Sequence, residues 1–452
     1  MSIISVVLEF VVISLTLEFL IIDRIITLSN RDFYKLFHDK NELKISLSVN
    51  VSATLSPLLI VSQFNMPTQY RINKIVEIGD TLHRSGCAPY KVEKYAQYYA
   101  QKHDVDVMIQ ATPTAINYQF SDENNTVVMK RLKPASINLS LLANTIIRIN
   151  QPSNEPVPEP VGYSKWVIAM ANMGIPPAYL MLVGSTLEAV GIAFLLGLMV
   201  WLCQQVFHSR RSIAVEFFSA LLTGICVAYL ANSGLPIPVW ALCVASVILF
   251  VPGLSIANSL ECLAFNDLIS GTSLFGQSAL TLIKLFVGIV MGLNIGEAIW
   301  GQAESISYTN EVPFWMHIFG LFLLSISLGI LFNARPIDIL LGLPVAMLGM
   351  WGPFYLGFES GWVVGTWVTT VLITLYGTWL AKKMELTGSI YIVQGIIILV
   401  PGSRVLISAS EWVFEQSSLP IPSIGLSALF MFSAIVAGQI TAYAIYSPKI
   451  EH

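Results

Sequence analysis

Charge is what this sequence has least of. Asp, Glu, Lys and Arg make up 12% of its 452 residues, against about 25% in a soluble globular domain. Hydrophobic residues make up 55%, and the mean hydropathy is +0.69. That balance excludes an ordinary soluble fold, so most of the chain must lie in lipid. The net charge of −4 argues against a nucleic-acid partner. Cysteine is scarce as well. Cys87, Cys203, Cys226, Cys243 and Cys262 show neither metal-ligand spacing nor a pairing framework. Four lie in apolar runs, where cysteine behaves as a small hydrophobe. Neither a metal nor a cofactor is expected.

What is present falls into five parts. Residues 1–65 open on an apolar stretch interrupted by Glu9, Glu18, Asp23 and Arg24, each costly at mid-bilayer. An extra anchor, an interfacial helix and an extended start before a functional chain near Met66 all remain open. Residues 66–150 are polar and read as a small α/β domain. Ile72, Ile75, Ile78, Gly79 and Leu82 recur at helical spacing. Ser85–Gly86 marks a turn, and Pro89 sits in the first turn of a second helix. Val105–Ile109, Ala115–Phe120 and Thr126–Leu132 read as strands, and a third helix covers about 136–150. His83 and His103 fall on expected helix surfaces. Residues 151–165 form a Pro-rich linker. Allowing about 20 residues per span, ten helices follow, five within 166–300 and five within 313–446.

The membrane part repeats itself. Val251-Pro252-Gly253 recurs as Val400-Pro401-Gly402, and the same offset aligns 249–287 without a gap at 10 identities in 39 positions. Two ordinary proline kinks are the plainer alternative, but a match sustained over dozens of residues indicates duplication. Loop charges set the orientation. Arg210, Arg211, Arg335, Lys382, Lys383 and Lys449 fall on the side of the 66–150 domain, and the opposite loops hold at most Arg404. The domain is therefore expected in the cytoplasm. Two five-helix units in one chain must insert with opposite orientation, the inverted-repeat plan of many secondary transporters. The expected fold is an α-helical polytopic membrane protein of about ten helices in two inverted repeats.

Each Val-Pro-Gly lies near the centre of its span. Proline removes a backbone donor and crowds the preceding turn, and glycine frees the next dihedrals. Such a break at membrane depth is tolerated where the freed groups line a cavity or meet protein, and it exposes half-helix ends of opposite polarity. A substrate is expected between Pro252–Gly253 and Pro401–Gly402. Ionisable residues nearby are Glu261, Asp267, Lys284, Arg404 and Glu411, functional candidates by default, with helix-holding ion pairs as the competing role. Asn258 is a candidate polar ligand, and Lys284 a candidate counter-charge for Asp267. Glu188 and Glu216 sit near span ends and are expected to snorkel. Gly288 and Gly292 permit close helix contacts, which leaves a homo-oligomer open.

Ser85-Gly86-Cys87-Ala88-Pro89-Tyr90-Lys91-Val92-Glu93 resembles the opening signature of the threonine/serine exporter (ThrE) family. Ala111-Thr112-Pro113-Thr114 resembles its Thr-Pro-Thr motif, and Asn144 stands where the next helix usually carries an asparagine. Val251-Pro252-Gly253 with Asn258 and Asp267, and Val400-Pro401-Gly402-Ser403, resemble its two membrane motifs. The resemblance runs from about 70 to 446 and looks like a fusion of the two-chain bacterial exporters. It departs at Cys87-Ala88-Pro89, at Lys91 in place of arginine, and at the position of Arg404. It implies proton-driven export of threonine and serine, or of a small dicarboxylate such as succinate, by a non-enzymatic carrier in a bacterial inner membrane. Gly86, Tyr90, Glu93, Thr112, Pro113 and Thr114 are the N-domain motif residues it marks. A membrane-anchored hydrolase is the rival class, yet no nucleophile, base and orienting group recur together in the sequence. A channel is the third.

Overall fold

The computed structural model describes residues 68–122, 125–133, 135–151, 160–207, 214–301, 312–357, 361–399 and 421–446, with only the backbone over 421–429. Residues 1–65, the linker prolines Pro152, Pro156 and Pro158, and Pro401, Gly402, Arg404 and Glu411 lie outside the described residues.

The described residues ahead of the apolar part form three helices and three strands. Helix α1 (Thr68–Arg84) buries Ile72, Ile75, Ile78 and Leu82 along one stripe. Gly86 turns the chain with φ +83, a conformation that favours glycine, and a Cβ there would also lie 3.1 Å from the Ile137 backbone. Pro89 opens α2 (Pro89–Lys102). Strands β1 (Val107–Ala111), β2 (Ala115–Phe120) and β3 (Val127–Arg131) pair antiparallel in that order. Side chains alternate across the sheet. Val107, Ile109, Ile116, Tyr118 and Phe120 are buried, while Met108, Val127 and Met129 are exposed. Helix α3 (Leu139–Asn150) starts at Asn138, whose side chain accepts from the Leu141 amide at 2.9 Å. His83 is not on the surface as expected. It is 4% exposed and its Nε2 meets the Lys133 carbonyl at 3.0 Å.

The described apolar part is built of helices joined by short turns: α4 (Lys165–Val183), α5 (Leu187–Phe207), α6 (Val215–Asn232), α7 (Val239–Val247), α8 (Gly253–Ala264), α9 (Leu268–Trp300), α10 (Phe314–Leu331), α11 (Pro336–Tyr355), α12 (Trp362–Met384), α13 (Ser389–Leu399) and α14 (Ile421–Ile445). Among the described residues seven are long and apolar enough to span a bilayer, or eight with the bent α7–α8 pair counted as one span. The protein is a polytopic helical membrane protein.

Packing follows small residues, because lipid supplies no hydrophobic force between helices and close backbone approach must replace it. Helix α9 lies against α6, where a Cβ on Gly288 would meet the Ala220 methyl at 2.7 Å and one on Gly292 would overlap the Leu221 carbonyl. The Gly288 and Gly292 face is thus used within the chain. Helix α14 packs on α12 in a similar way, with Gly438 against Thr370 and the Trp367 carbonyl.

Contacts with the polar module fix helix directions. The start of α4 is tied there by the Val161 amide to Ser140 Oγ at 2.8 Å, and the end of α10 by the Leu139 amide to the Phe332 carbonyl at 2.8 Å. The end of α8, the start of α9, the start of α13 and the end of α14 also reach the module. Helices α4 and α10 therefore run oppositely, as do α9 and α14, and as do α7–α8 and α13.

Candidate functional site

The break at Val251-Pro252-Gly253 shapes the site. A short 3-10 turn (Ile248–Phe250) ends α7. Pro252 caps α8 with φ −80 and ψ 47, and the two helices meet at 59°. Pro252 supplies no amide hydrogen, so a straight helix could not be continued through it without a missing bond. The bend turns α8 beneath the polar module.

On α8, Asn258 and Glu261 line a small cavity of about 40 Å³. Its other walls come from the module (Ser85 to Ala88 and Lys91), from α13 (Ser389, Ile392) and from α14 (Gln439, Tyr443). Glu261 is 4% exposed and Lys91 5%. Lys91 Nζ lies 3.1 Å from Glu261 Oε1, and Tyr90 donates to the same oxygen at 2.6 Å. Lys91 also donates to Ser389 Oγ at 2.9 Å and stands over the Tyr90 and Tyr443 rings at 5.5 and 6.0 Å, within cation–π range. Tyr90 stacks on Phe265 at 5.0 Å. Burial, and then the charge of Glu261, push the Tyr90 phenol well above its ordinary value, so it stays a donor. Gln439 is 6% exposed and its Oε1 has no partner among the described residues.

The other candidates are placed apart from this cluster. Asp267 caps α9, its Oδ1 accepting from the Ser270 amide at 3.1 Å, while its Oδ2 is buried without a partner among the described residues. Glu93 accepts from the Ala111 amide at 2.7 Å. Its carboxyl is raised above the usual carboxylate range by burial and by the charge of Asp267, against the pull of the Ala111 amide. Lys284 does not serve Asp267. It pairs with Glu216 at 2.6 Å, both ends partly exposed, so the pair joins α9 to α6. Thr112 closes the β1–β2 turn on Ala115 at 2.9 Å, so its hydroxyl is committed to the turn. Pro113 and Thr114 complete that turn.

Beside the break on another side lies a cavity of about 450 Å³, lined among the described residues by Ile248, Leu249, Val251, Gly253, Ile397 and Leu399 with other, mostly apolar, side chains. It reaches the break at Val251-Pro252-Gly253 and the end of α13, but side-chain charge is absent from its described lining.

Sequence reasoning missed one network. Asp338, fully buried at the start of α11, takes two bonds from Arg335 at 2.6 and 2.9 Å and one from Tyr391 at 3.2 Å. Gln394 donates to the Asp338 carbonyl at 3.4 Å and accepts from Ser325 at 2.9 Å. The Arg335–Asp338 spacing of three was a legible signal, since the residue just before a helix lies within reach of a side chain in its first turn.

Residues 157–296 match the ThrE family model, described as "putative threonine/serine exporter". Over these residues the chain is similar to the threonine/serine exporter family. The matched segment runs from the linker almost to the end of α9, and includes the break, Asn258, Glu261 and Asp267. The polar module and the helices from α10 onward lie outside it. No curated protein and no solved structure matches the chain.

Proposed function

We propose that the protein is a secondary transporter that exports threonine and serine from the cytoplasm of a bacterium across its inner membrane, in exchange for protons. Its ten spans form two inverted five-helix repeats over 166–300 and 313–446. The module at 66–150 is cytoplasmic, and 151–165 links the two. Three pairs of corresponding helices running in opposite directions support the repeat. The one observation that carries the function is the break at Pro252–Gly253, which delivers Asn258 and Glu261 of a segment similar to the exporter family to a small cavity beside Lys91. A hydroxy amino acid carries both charges and a hydroxyl, and needs partners of both signs at membrane depth. Glu261 supplies the negative partner, and half-helix ends at the breaks supply dipoles.

For proton exchange a carboxylate must change protonation through the cycle. Glu261 and Asp267 are the candidates among the described residues, with Glu411 beyond them. Cells loaded with labelled threonine, serine or succinate and expressing the protein provide the test. Faster efflux of the hydroxy amino acids, abolished in Glu261→Gln, supports the reading. Faster efflux of succinate alone replaces the substrate, and no change in any efflux rate removes the reading.

A further inference from the structure

The cavity between α8, α13, α14 and the polar module is built to hold an ammonium group, and one already fills it. Around the Lys91 ammonium stand Glu261, Ser389 Oγ and the faces of Tyr90 and Tyr443, and Gln439, whose Oε1 has no partner among the described residues, also lines the cavity. An ammonium has three N–H donors and no acceptor, which suits a carboxylate, a hydroxyl, an amide oxygen and two rings. The group in place is Lys91, which arrives from the module and not from the membrane helices. The space left beside Lys91 is about 40 Å³. An amino acid does not fit beside Lys91.

We propose that Lys91 is a tethered plug, its ammonium occupying on Glu261 the place that a substrate ammonium takes. This rests on the reading of the cavity as the substrate site. Glu261 is then paired at every stage, with Lys91 when the carrier is empty and closed, and with substrate or a proton otherwise. A buried carboxylate that always needs one of these partners releases substrate inward only as it takes back Lys91 or takes up a proton. The plug thereby closes the cytoplasmic entrance from the module side. An ion pair that only fastens the module would not need the aromatic faces on both sides of the ammonium.

The test uses the full chain in detergent as parent, Lys91→Gln and Lys91→Gln/Glu261→Gln, with ethylammonium chloride as probe and sodium chloride as the ionic-strength control. Ethylammonium should raise the unfolding temperature of Lys91→Gln above the sodium control and leave the other two unmoved. A Lys91→Gln protein that gains nothing from ethylammonium, whether it folds or not, overturns the plug. Threonine binding gives the second readout. A plug seated in nine molecules of ten lowers apparent affinity about tenfold, so Lys91→Gln should bind labelled threonine about tenfold more tightly. Weaker binding in Lys91→Gln is the result for a mere fastening pair and overturns the proposal. Should ethylammonium stabilise Lys91→Gln while threonine binds neither protein, the ammonium site stands and the threonine export reading fails.

Discussion

The Lys91–Glu261 pair predicts a double-mutant cycle with a large coupling. Both side chains are about 5% exposed and their charged atoms are 3.1 Å apart. At an effective dielectric of 20 that separation is worth about 5 kcal/mol of attraction, from which the desolvation of two charges must be subtracted. Removing one partner strands the other in the protein, at a cost of about 3–5 kcal/mol. Lys91→Met keeps the buried stem, and Glu261→Gln keeps an oxygen for the Tyr90 hydroxyl. Each single variant should therefore lose about 3–5 kcal/mol. The double variant should lose little more than either, because no uncompensated charge remains. The assay is denaturant unfolding of the full chain in detergent, together with the rate at which protease cuts residues 68–151 from the membrane part. Single losses that simply add, with coupling under about 1 kcal/mol, would refute a desolvated pair.

Further consequences concern packing, capping and pH. Gly292→Val should prevent folding by driving a side chain into the Leu221 carbonyl, whereas Gly276→Ala, with nothing within 4 Å of the new methyl, should behave as parent; size-exclusion profiles in detergent compare them. Asp267→Asn retains a good N-cap for α9 and should fold as parent, while Asp267→Ala should lose about 1 kcal/mol. If the transport rate of Asp267→Asn matches the parent's at every pH, Asp267 is a cap and not a coupling group. Glu93 holds its proton more tightly folded than unfolded, since burial and Asp267 raise it above 4.5. Its contribution is fully present below 4.5 and lost as pH rises through the folded value, so Glu93→Gln should match parent in acid and become the more stable protein towards neutral pH. Pro252→Ala combined with Gly253→Ala should straighten α7–α8, withdraw Asn258 and Glu261 from the cavity, and abolish threonine efflux while the protein still reaches the membrane.

The spans were legible because lipid imposes a single rule, a run of about 20 apolar residues, and α4, α5, α10, α11 and α12 start and stop within about three residues of that reading. The break was legible because Pro252 cannot donate. Helix α9 was not fully legible. It begins at Leu268, ten residues before the expected 278, because Asp267 caps it and the mixed-polarity stretch LISGTSLFGQ continues the helix outside the most apolar window. The site was legible only by halves. Glu261 and Asn258 announced themselves as polar residues in an apolar run, and Tyr90 and Glu93 through the family signature. That Lys91 meets Glu261 could not be read, since 170 positions separate them and each half has its own local pattern. The same holds for Lys284, whose partner Glu216 seemed destined for the interface. His83 failed differently, because helical periodicity places it on the outer face but not what covers that face.

The central claim is proton-coupled export of a small hydroxy amino acid, and purified protein in liposomes loaded with labelled threonine tests it most directly. With the cytoplasmic face inside, an acidic exterior should accelerate efflux over a matched pH, threonine exit should alkalinise the medium, and Glu261→Gln should lose both effects. Efflux at one rate with and without the gradient, and no accompanying pH change, would contradict the account.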